Sequence, residues 1–297
     1  MARSHRPRRS CLYVPGSNAR ALEKAKTSDC DVVIFDLEDA VAPDSKEAAR
    51  VSVADAVRSG AYGARELVVR INGLNTDWGE ADIADIAPTT PDGVLAPKVD
   101  TAKDILELHR TLSDADASAG IALWAMIETP LAILNIREIA EASTASTLSA
   151  FVMGTNDLAK EYRAEMRPGR EAFQMAFGLS VAAARAYDLA IIDGVYNNIK
   201  DEAGFGAECD QGRMLGFDGK SVIHPSQIAR CNAVFSPDKS AIDRAHSVIS
   251  AFDDPANAGK GVILVDGQMT ELLHLEQARM LIAVHDAIAR RQASSDD

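Results

Sequence analysis

Short apolar runs recur through the first three quarters of the chain: "SCLYVP" (10–15), "DVVIFDLE" (31–38), "ELVVRIN" (66–72), "GVLAPKV" (93–99), "IALWAMIE" (121–128), "AFVMGTN" (150–156), "LAIIDGV" (189–195) and "KSVIHP" (220–225). They are continuous rather than alternating and rich in Val and Ile, the pattern of parallel strands covered on both faces. Amphipathic stretches lie between them. "SNARALEKAKTS" puts Ala21, Leu22 and Ala25 on one helical face. "PDSKEAARVSVADAVRSG" opens on Pro43 and Asp44 and closes at Gly60, and "TPLAILNIREIAEAS" opens with Thr129 as N-cap and Pro130 at the first helical position. Eight strand–helix repeats with short connections predict a closed (β/α)8 TIM barrel over residues 10–234. The rival is an open doubly wound sheet, but no G-x-G-x-x-G turn follows the first strand to support its dinucleotide-binding version.

The pattern changes after residue 234. "VFSPDKSAIDRAHSVISAF" restarts a helix at Ser236-Pro237, "DDPANAGKG" reads as a loop, and "VILVDGQMTELLHLEQARMLIAVHDAIARR" as a short extended piece and a long helix. Residues 235–297 are therefore expected to form a C-terminal helical extension or lid. The basic start, "MARSHRPRRS", has no apolar stretch behind it, so residues 1–9 are expected to be a flexible tail rather than a secretory signal.

Composition narrows the possible partners. With 297 residues and 47% hydrophobic content the chain can bury a large core, and it has no apolar run long enough to span a membrane. The net charge of −13 argues against nucleic acid, whose bulk affinity comes from neutralising phosphates. Cys11, Cys30, Cys209 and Cys231 are scattered without a C-x-x-C pair, which points to reduced thiols in packing roles and a cytoplasmic protein rather than to a thiolate zinc site.

Polar residues recur where the predicted strands stop. Asp36 and Glu38 end the second, Arg70 and Asn72 the third, Lys98 the fourth and Glu128 the fifth. Asn156 and Asp157 follow the sixth, Asp193 ends the seventh and His224 the eighth. Successive members from Asp36 are 28 to 36 residues apart, one strand–helix unit each. In a barrel they converge on the C-terminal rim, where active sites of this fold are built. Singly, each has an ordinary explanation: Asp157 as a helix cap, Glu128 as a first-turn acid, Lys98 or Arg70 as ion-pair partners of Asp36 or Glu38. Together they point to a site. Glu128 and Asp157 offer hard carboxylate oxygens from adjacent strands, the donor set that suits Mg2+ with water and substrate oxygens. Arg70 suits a two-pronged contact with a substrate carboxylate.

The ordered set "RSCLYVPGSNARALEKA", "DLEDAVAPDSKEAAR", "VRINGLNTDWGEAD", "IETP", "GTNDLAKEY", "IDGVYNNIKD" and "GFDGKSVIHPSQIARCNAVFSP", over about residues 9–240, resembles the citrate lyase β-subunit-like (CitE-like) group. That group belongs to the HpcH/HpaI aldolase superfamily and includes malyl-CoA and citramalyl-CoA lyases. The resemblance implies a Mg2+-dependent barrel, trimeric or hexameric, that cleaves or forms a carbon–carbon bond in a 3-hydroxyacyl-CoA, releasing an acyl-CoA and a 2-oxo acid. Carried across by motif, Glu128 of "IETP" and Asp157 of "GTNDL" hold Mg2+, and Arg70 of "VRIN" binds the oxo-acid carboxylate. Asp36 and Glu38 shape the metal's surroundings through water and fix Arg70, while Tyr13, Arg20 and Lys24 contact substrate or coenzyme A. Relatives with a lid carry an Asp base in "G-x-M-I-D-x-P-H", often donated by the neighbouring subunit. Here the segment is "GQMTELLH", with Glu271 in place of the Asp, Thr270 of the Ile and Leu273 of the Pro. Two other outcomes stand beside the lyase: a malyl-CoA-type thioesterase, and a citrate lyase β-subunit that works on an acyl carrier.

Overall fold

In the computed structural model, residues 6–115 and 120–296 are described. Eight parallel strands close on themselves: β1 Ser10–Pro15, β2 Val32–Asp36, β3 Glu66–Arg70, β4 Gly93–Ala96, β5 Ala122–Ile127, β6 Leu148–Met153, β7 Ala190–Asp193 and β8 Gly219–Val222. The ring is sealed by β1 against β8, with Ser10 opposite Lys220 and Leu12 opposite Val222. The expected (β/α)8 barrel is thus the observed architecture.

Strand residues divide between two apolar layers. Cys11, Val32, Ile34, Val68, Leu95, Trp124, Met126, Ala150, Val152 and Ile192 fill the barrel interior. Their neighbours, among them Val33, Phe35, Val69, Val94, Phe151 and Ile191, face outward beneath the helices. Parity then decides where a strand-end residue points, because successive side chains alternate between the two faces. Asp36, Arg70 and Glu128 continue the inward series of β2, β3 and β5. Asp193 follows the outward Ile191.

The helices begin where the sequence signals place them. Asn18 caps Ala19–Ala25, its side chain accepting from Ala21 N at 3.1 Å. Thr129 caps Pro130–Leu134, with Pro130 at the first position. The single helix expected beyond Thr129 is broken instead at Asn135, whose side chain bonds the Asp100 carbonyl at 3.0 Å; a second helix, Ile136–Glu141, follows.

The floor of the barrel corrects the expected N-terminal tail. Residues 1–5 of that tail lie outside the described residues, but Arg8 and Arg9 are built in. Arg8 donates from Nε and Nη2 to Glu66, each at 2.8 Å, and stacks 4.7 Å from the Trp124 ring. Arg9 pairs with buried Asp31 at 2.8 Å.

The chain divides into two compact units, Arg8–Phe235 and a smaller one that includes Ser236 onward. In the smaller unit helices Lys239–Asp253 and Leu272–Asp296 pack around Ala245, Val248, Ile263, Val265, Leu275 and Ala278. The expected extended piece is a hairpin, β9 Val262–Val265 and β10 Gln268–Glu271. Its two-residue turn, Asp266-Gly267, has positive φ at both positions (51° and 75°), the conformation an Asp-Gly pair favours.

Candidate active site

Tyr13, Asp36, Asp39, Arg70, Met126, Gly154, Thr155, Asn156, Asp157, Asn197 and Ser221 line a cavity of about 360 Å3 at the C-terminal mouth of the barrel. Arg70 is its organising cation. The guanidinium forks onto Asp36, with Nε to Oδ1 at 2.8 Å and Nη2 to Oδ2 at 2.6 Å. Asp36 is held in turn by the N–H groups of Glu38 (2.9 Å) and Ala40 (3.2 Å). Nη1 donates to Asp39 at 3.2 Å and lies 2.8 Å from Glu38 Oε2, an ion pair off the hydrogen-bond direction, since that oxygen has no hydrogen-bond partner. The Tyr13 ring sits 5.1 Å from the guanidinium carbon. Burial alone would weaken the Arg70 cation, but the bonds and charge of Asp36 outweigh it and hold its pKa well above the ordinary value.

Glu128 follows directly on the end of β5, at the same rim of the barrel. It is 1% exposed. Its Oε1 accepts the backbone N–H of Lys98 at 2.8 Å. Lys98 presents that N–H from the left-handed region, at φ 50°, a cost a non-glycine residue bears only where its surroundings enforce it. The Lys98 ammonium reaches Glu38 Oε1 at 3.0 Å, so one residue ties both carboxylates together. Glu128 Oε2 is buried with no hydrogen-bond partner among the described residues. Gly154 makes room for it: a Cβ at that position would collide with Glu128 Oε2 and Cβ. Burial first, then the charge of Glu38 and, further down, of Asp157, push Glu128 up to about 7 against the weaker opposing pull of Lys98 N–H and Arg70. Glu38 is also raised, by burial and Asp39, against the pull of Arg70 and Lys98.

Asp157 stands in the first turn of helix Thr155–Tyr162 and makes no capping bond. Neither ordinary explanation of the two acids therefore holds, since Glu128 precedes the N-cap of its helix and is bonded across to Lys98. Among the described residues no group of three or more His, Cys, Asp or Glu is set to hold a metal alone. Two carboxylates such as Glu128 and Asp157 would leave the remaining positions of an ion to water or a ligand. An orphaned buried oxygen beside a second acid, with two cations against five carboxylates nearby, fits a divalent cation of the hard, oxygen-seeking kind.

Some strand-end residues do other work. Asp193 faces the helices, not the cavity: Arg170 Nη1 reaches its Oδ1 at 2.7 Å and Lys220 Nζ its Oδ2 at 3.0 Å. Lys220, wholly buried, also bonds Glu208 at 2.7 Å and the Gly194 carbonyl at 2.6 Å. This anchors the start of the loop that brings Val195 and Asn197 to the cavity. His224 caps the turn Pro225–Gln227, accepting from Ser226 N at 3.2 Å, and Asn72 bonds Leu37 O and Asp82. Arg20 and Lys24 are exposed on helix Ala19–Ala25 and are not among the cavity-lining residues; Lys24 borders a separate hollow with Asp29 and Pro225. Glu271 ends β10 in the smaller unit, its backbone N–H bonded to His274 Nδ1 at 3.0 Å.

The sequence patterning missed the Thr155 and Ser221 hydroxyls, both buried without a partner and both at the cavity. Their strand-end positions were the available signal. It marked Asp39 as a strand-end acid without giving it a role, and it missed Gly154, although both sit inside the quoted motifs.

The profile of the family described as HpcH/HpaI aldolase/citrate lyase matches residues 9–225. A (3S)-malyl-CoA thioesterase of Cereibacter sphaeroides is 47% identical over 99% of this chain and 100% of its own. The citrate lyase subunit beta of Escherichia coli is 34% identical over 95% of this chain and 94% of its own. Among solved structures, the protein CitE of Mycobacterium tuberculosis in complex with magnesium, acetoacetate and coenzyme A superposes with a TM-score of 0.75 at 26% identity, covering 93% of this chain and 97% of that one.

Proposed function

Because this chain belongs to the HpcH/HpaI aldolase/citrate lyase family, we propose that it is a Mg2+-dependent enzyme that cleaves a 3-hydroxyacyl-CoA of the malyl-CoA type. The observation that carries the proposal is the buried, unpartnered Glu128 oxygen, cradled by Gly154, with Asp157 and Arg70 near enough for their charges to act on it. Glu128 and Asp157 hold the ion. When bound, Mg2+ would supply the charge that favours transfer of the substrate's hydroxyl proton to water.

The protein's own residues do the rest. Arg70, held rigid by Asp36, grips the substrate carboxylate through the guanidinium edge that Asp36 leaves free. Asp36 acts as a positioning residue, because both its oxygens are already engaged. Glu38, tied to Lys98 and Arg70, fixes the second cation near the cavity. Tyr13 forms the wall on which Arg70 rests, and Arg20 and Lys24 meet the coenzyme A portion outside the cavity. Glu271 exchanges a proton with the α-carbon of the acyl-CoA, giving it up on cleavage and removing it on condensation. Cleavage breaks the bond between that carbon and the hydroxyl-bearing one and yields an acyl-CoA and a 2-oxo acid. Placing both charge-binding elements at the acid end of the substrate supports carbon–carbon cleavage, since the new carbonyl forms there.

Hydrolysis of the thioester is the second reading. It is supported by the 47% identity to a malyl-CoA thioesterase, which extends through the smaller unit. Incubation with malyl-, citramalyl- and citryl-CoA, with and without Mg2+, separates the two by mass. Acyl-CoA plus oxo acid marks a lyase, and free CoA plus hydroxy acid a thioesterase. No Mg2+-dependent turnover of any of the three would refute both. Assembly into trimers or hexamers is part of the same proposal, and light scattering of the purified protein tests it.

A further inference from the structure

Arg70 carries acidic partners of unequal standing. Asp36 takes Nε and Nη2 at 2.8 and 2.6 Å, and its side chain is 2% exposed. Asp39 touches only Nη1, at 3.2 Å, with a side chain 60% exposed, and makes no other hydrogen bond or ion pair among the described residues. Both line the cavity. A guanidinium offers five N–H groups in a planar fork. Asp36 consumes the Nε/Nη2 edge, so a ligand approaching through the cavity meets the Nη1 side, where Asp39 sits. A bidentate buried pair is strong and geometrically fixed, whereas a single contact with an exposed acid is weak and easily exchanged.

We infer that Asp39 is an exchangeable occupant of the substrate-carboxylate position on Arg70, and so a specificity-determining residue. A ligand that brings its own carboxylate displaces Asp39 and inherits its N–H. A ligand with a neutral group there has no charge with which to compete, and Asp39 stays. The residue thus discriminates by an internal competitor rather than by a clash, raising the threshold that any entering group must exceed. Its neighbour Glu38 cannot play this part, because its side chain is 11% exposed and is held by Lys98 as well.

The inference rests on the reading of Arg70 as the grip for a substrate carboxylate, and the test separates the two. Glyoxylate, the smallest 2-oxo acid, is titrated calorimetrically into the full-length protein with Mg2+ present. Asp39→Asn and Asp39→Ala are expected to bind it roughly two- to fivefold more tightly than wild type, the range set by loss of one exposed ion-pair competitor. Asp39→Glu is expected to restore the wild-type affinity. A crystal structure with glyoxylate should show a glyoxylate oxygen on Arg70 Nη1 and Asp39 turned away. A residue with a merely structural role would give unchanged or weaker binding on removal. That result, or an Asp39–Nη1 contact that persists in the glyoxylate complex, overturns the inference. Arg70→Lys, checked for folding by circular dichroism, should lose glyoxylate binding. If it binds as wild type does, the grip itself is refuted; if it loses binding while the Asp39 variants are unchanged, only the competitor is.

Discussion

Gly154 and Glu128 form the tightest coupling at the scale of single residues. A methyl group at 154 has nowhere to go except into the Glu128 carboxylate. Overpacking of this kind costs about 1–3 kcal/mol. Gly154→Ala should therefore keep the fold by circular dichroism yet lose on the order of a hundredfold in kcat/KM, because displacements near 1 Å are costly at a reacting centre. Glu128→Gln separates function from stability. It removes a buried carboxylate that has an unpartnered oxygen and acidic neighbours, while keeping nearly the same volume. The metal-free variant should melt a few degrees above wild type, and added Mg2+ should raise the wild-type melting temperature but not the variant's. A lower melting point for the metal-free variant would show that the carboxylate is not a burden. These acids were legible in the sequence because they keep step with the strands. Gly154 was not, since the need for a missing Cβ exists only once β5 and β6 are paired.

Among elements, β7 and β8 meet the outer helices through a buried ionic cluster. Burial would raise the Asp193 carboxyl, but Lys220 and Arg170 outweigh that and hold it below its ordinary 3.8. Burial would likewise lower the Lys220 ammonium, and Asp193 and Glu208 raise it above 10.5 instead. The depressed acid stabilises the fold above its unfolded pKa and loses that contribution as pH falls through the folded value. The raised ammonium contributes fully below its unfolded pKa and loses this as pH climbs through the folded one. The cluster therefore supports the barrel across the interval between 3.8 and 10.5. Lys220→Met leaves Asp193 and Glu208 with Arg170 as the one cation they still share, and should cost about 3–5 kcal/mol in urea unfolding at pH 7. The deficit should shrink as pH falls below 3.8 and Asp193 takes up its proton; a constant deficit would assign it to packing alone. The sequence located β7 but misplaced Asp193 on the rim. In a parallel barrel both faces of a strand are apolar, so nothing polar precedes Asp193 in "LAIIDGV" to mark which way each position points. The break at Asn135 was hidden for a related reason: its cause is the Asp100 carbonyl on a distant loop.

For the molecule as a whole, the eight-strand count and the change of pattern after residue 234 were readable because they rest on periodicity. The role of Arg8 and Arg9 was not, because basic residues at a chain start look the same whether solvated or pressed against Glu66 and Trp124. The Asp266-Gly267 turn did carry a signal, a D-G pair that directly follows the apolar run "VILV". Glu271→Gln should lower kcat by about 10²–10⁴-fold, as expected for loss of a general acid–base group, while the Mg2+ dissociation constant measured by calorimetry stays within twofold, about the resolution of such a comparison. Weakened Mg2+ binding would move Glu271 into the ion's own site.

The β1–β8 seam has a consequence for biosynthesis. Ser10 and Lys220 are partners across it. A nascent chain exposes the free edge of its first strand for as long as the ribosome is still delivering the seven that follow. Ring closure waits until Val222 has cleared the exit tunnel. Throughout that interval the half-made sheet is open to pairing with other chains, so the chaperone demand of this protein should fall mainly before β8 emerges.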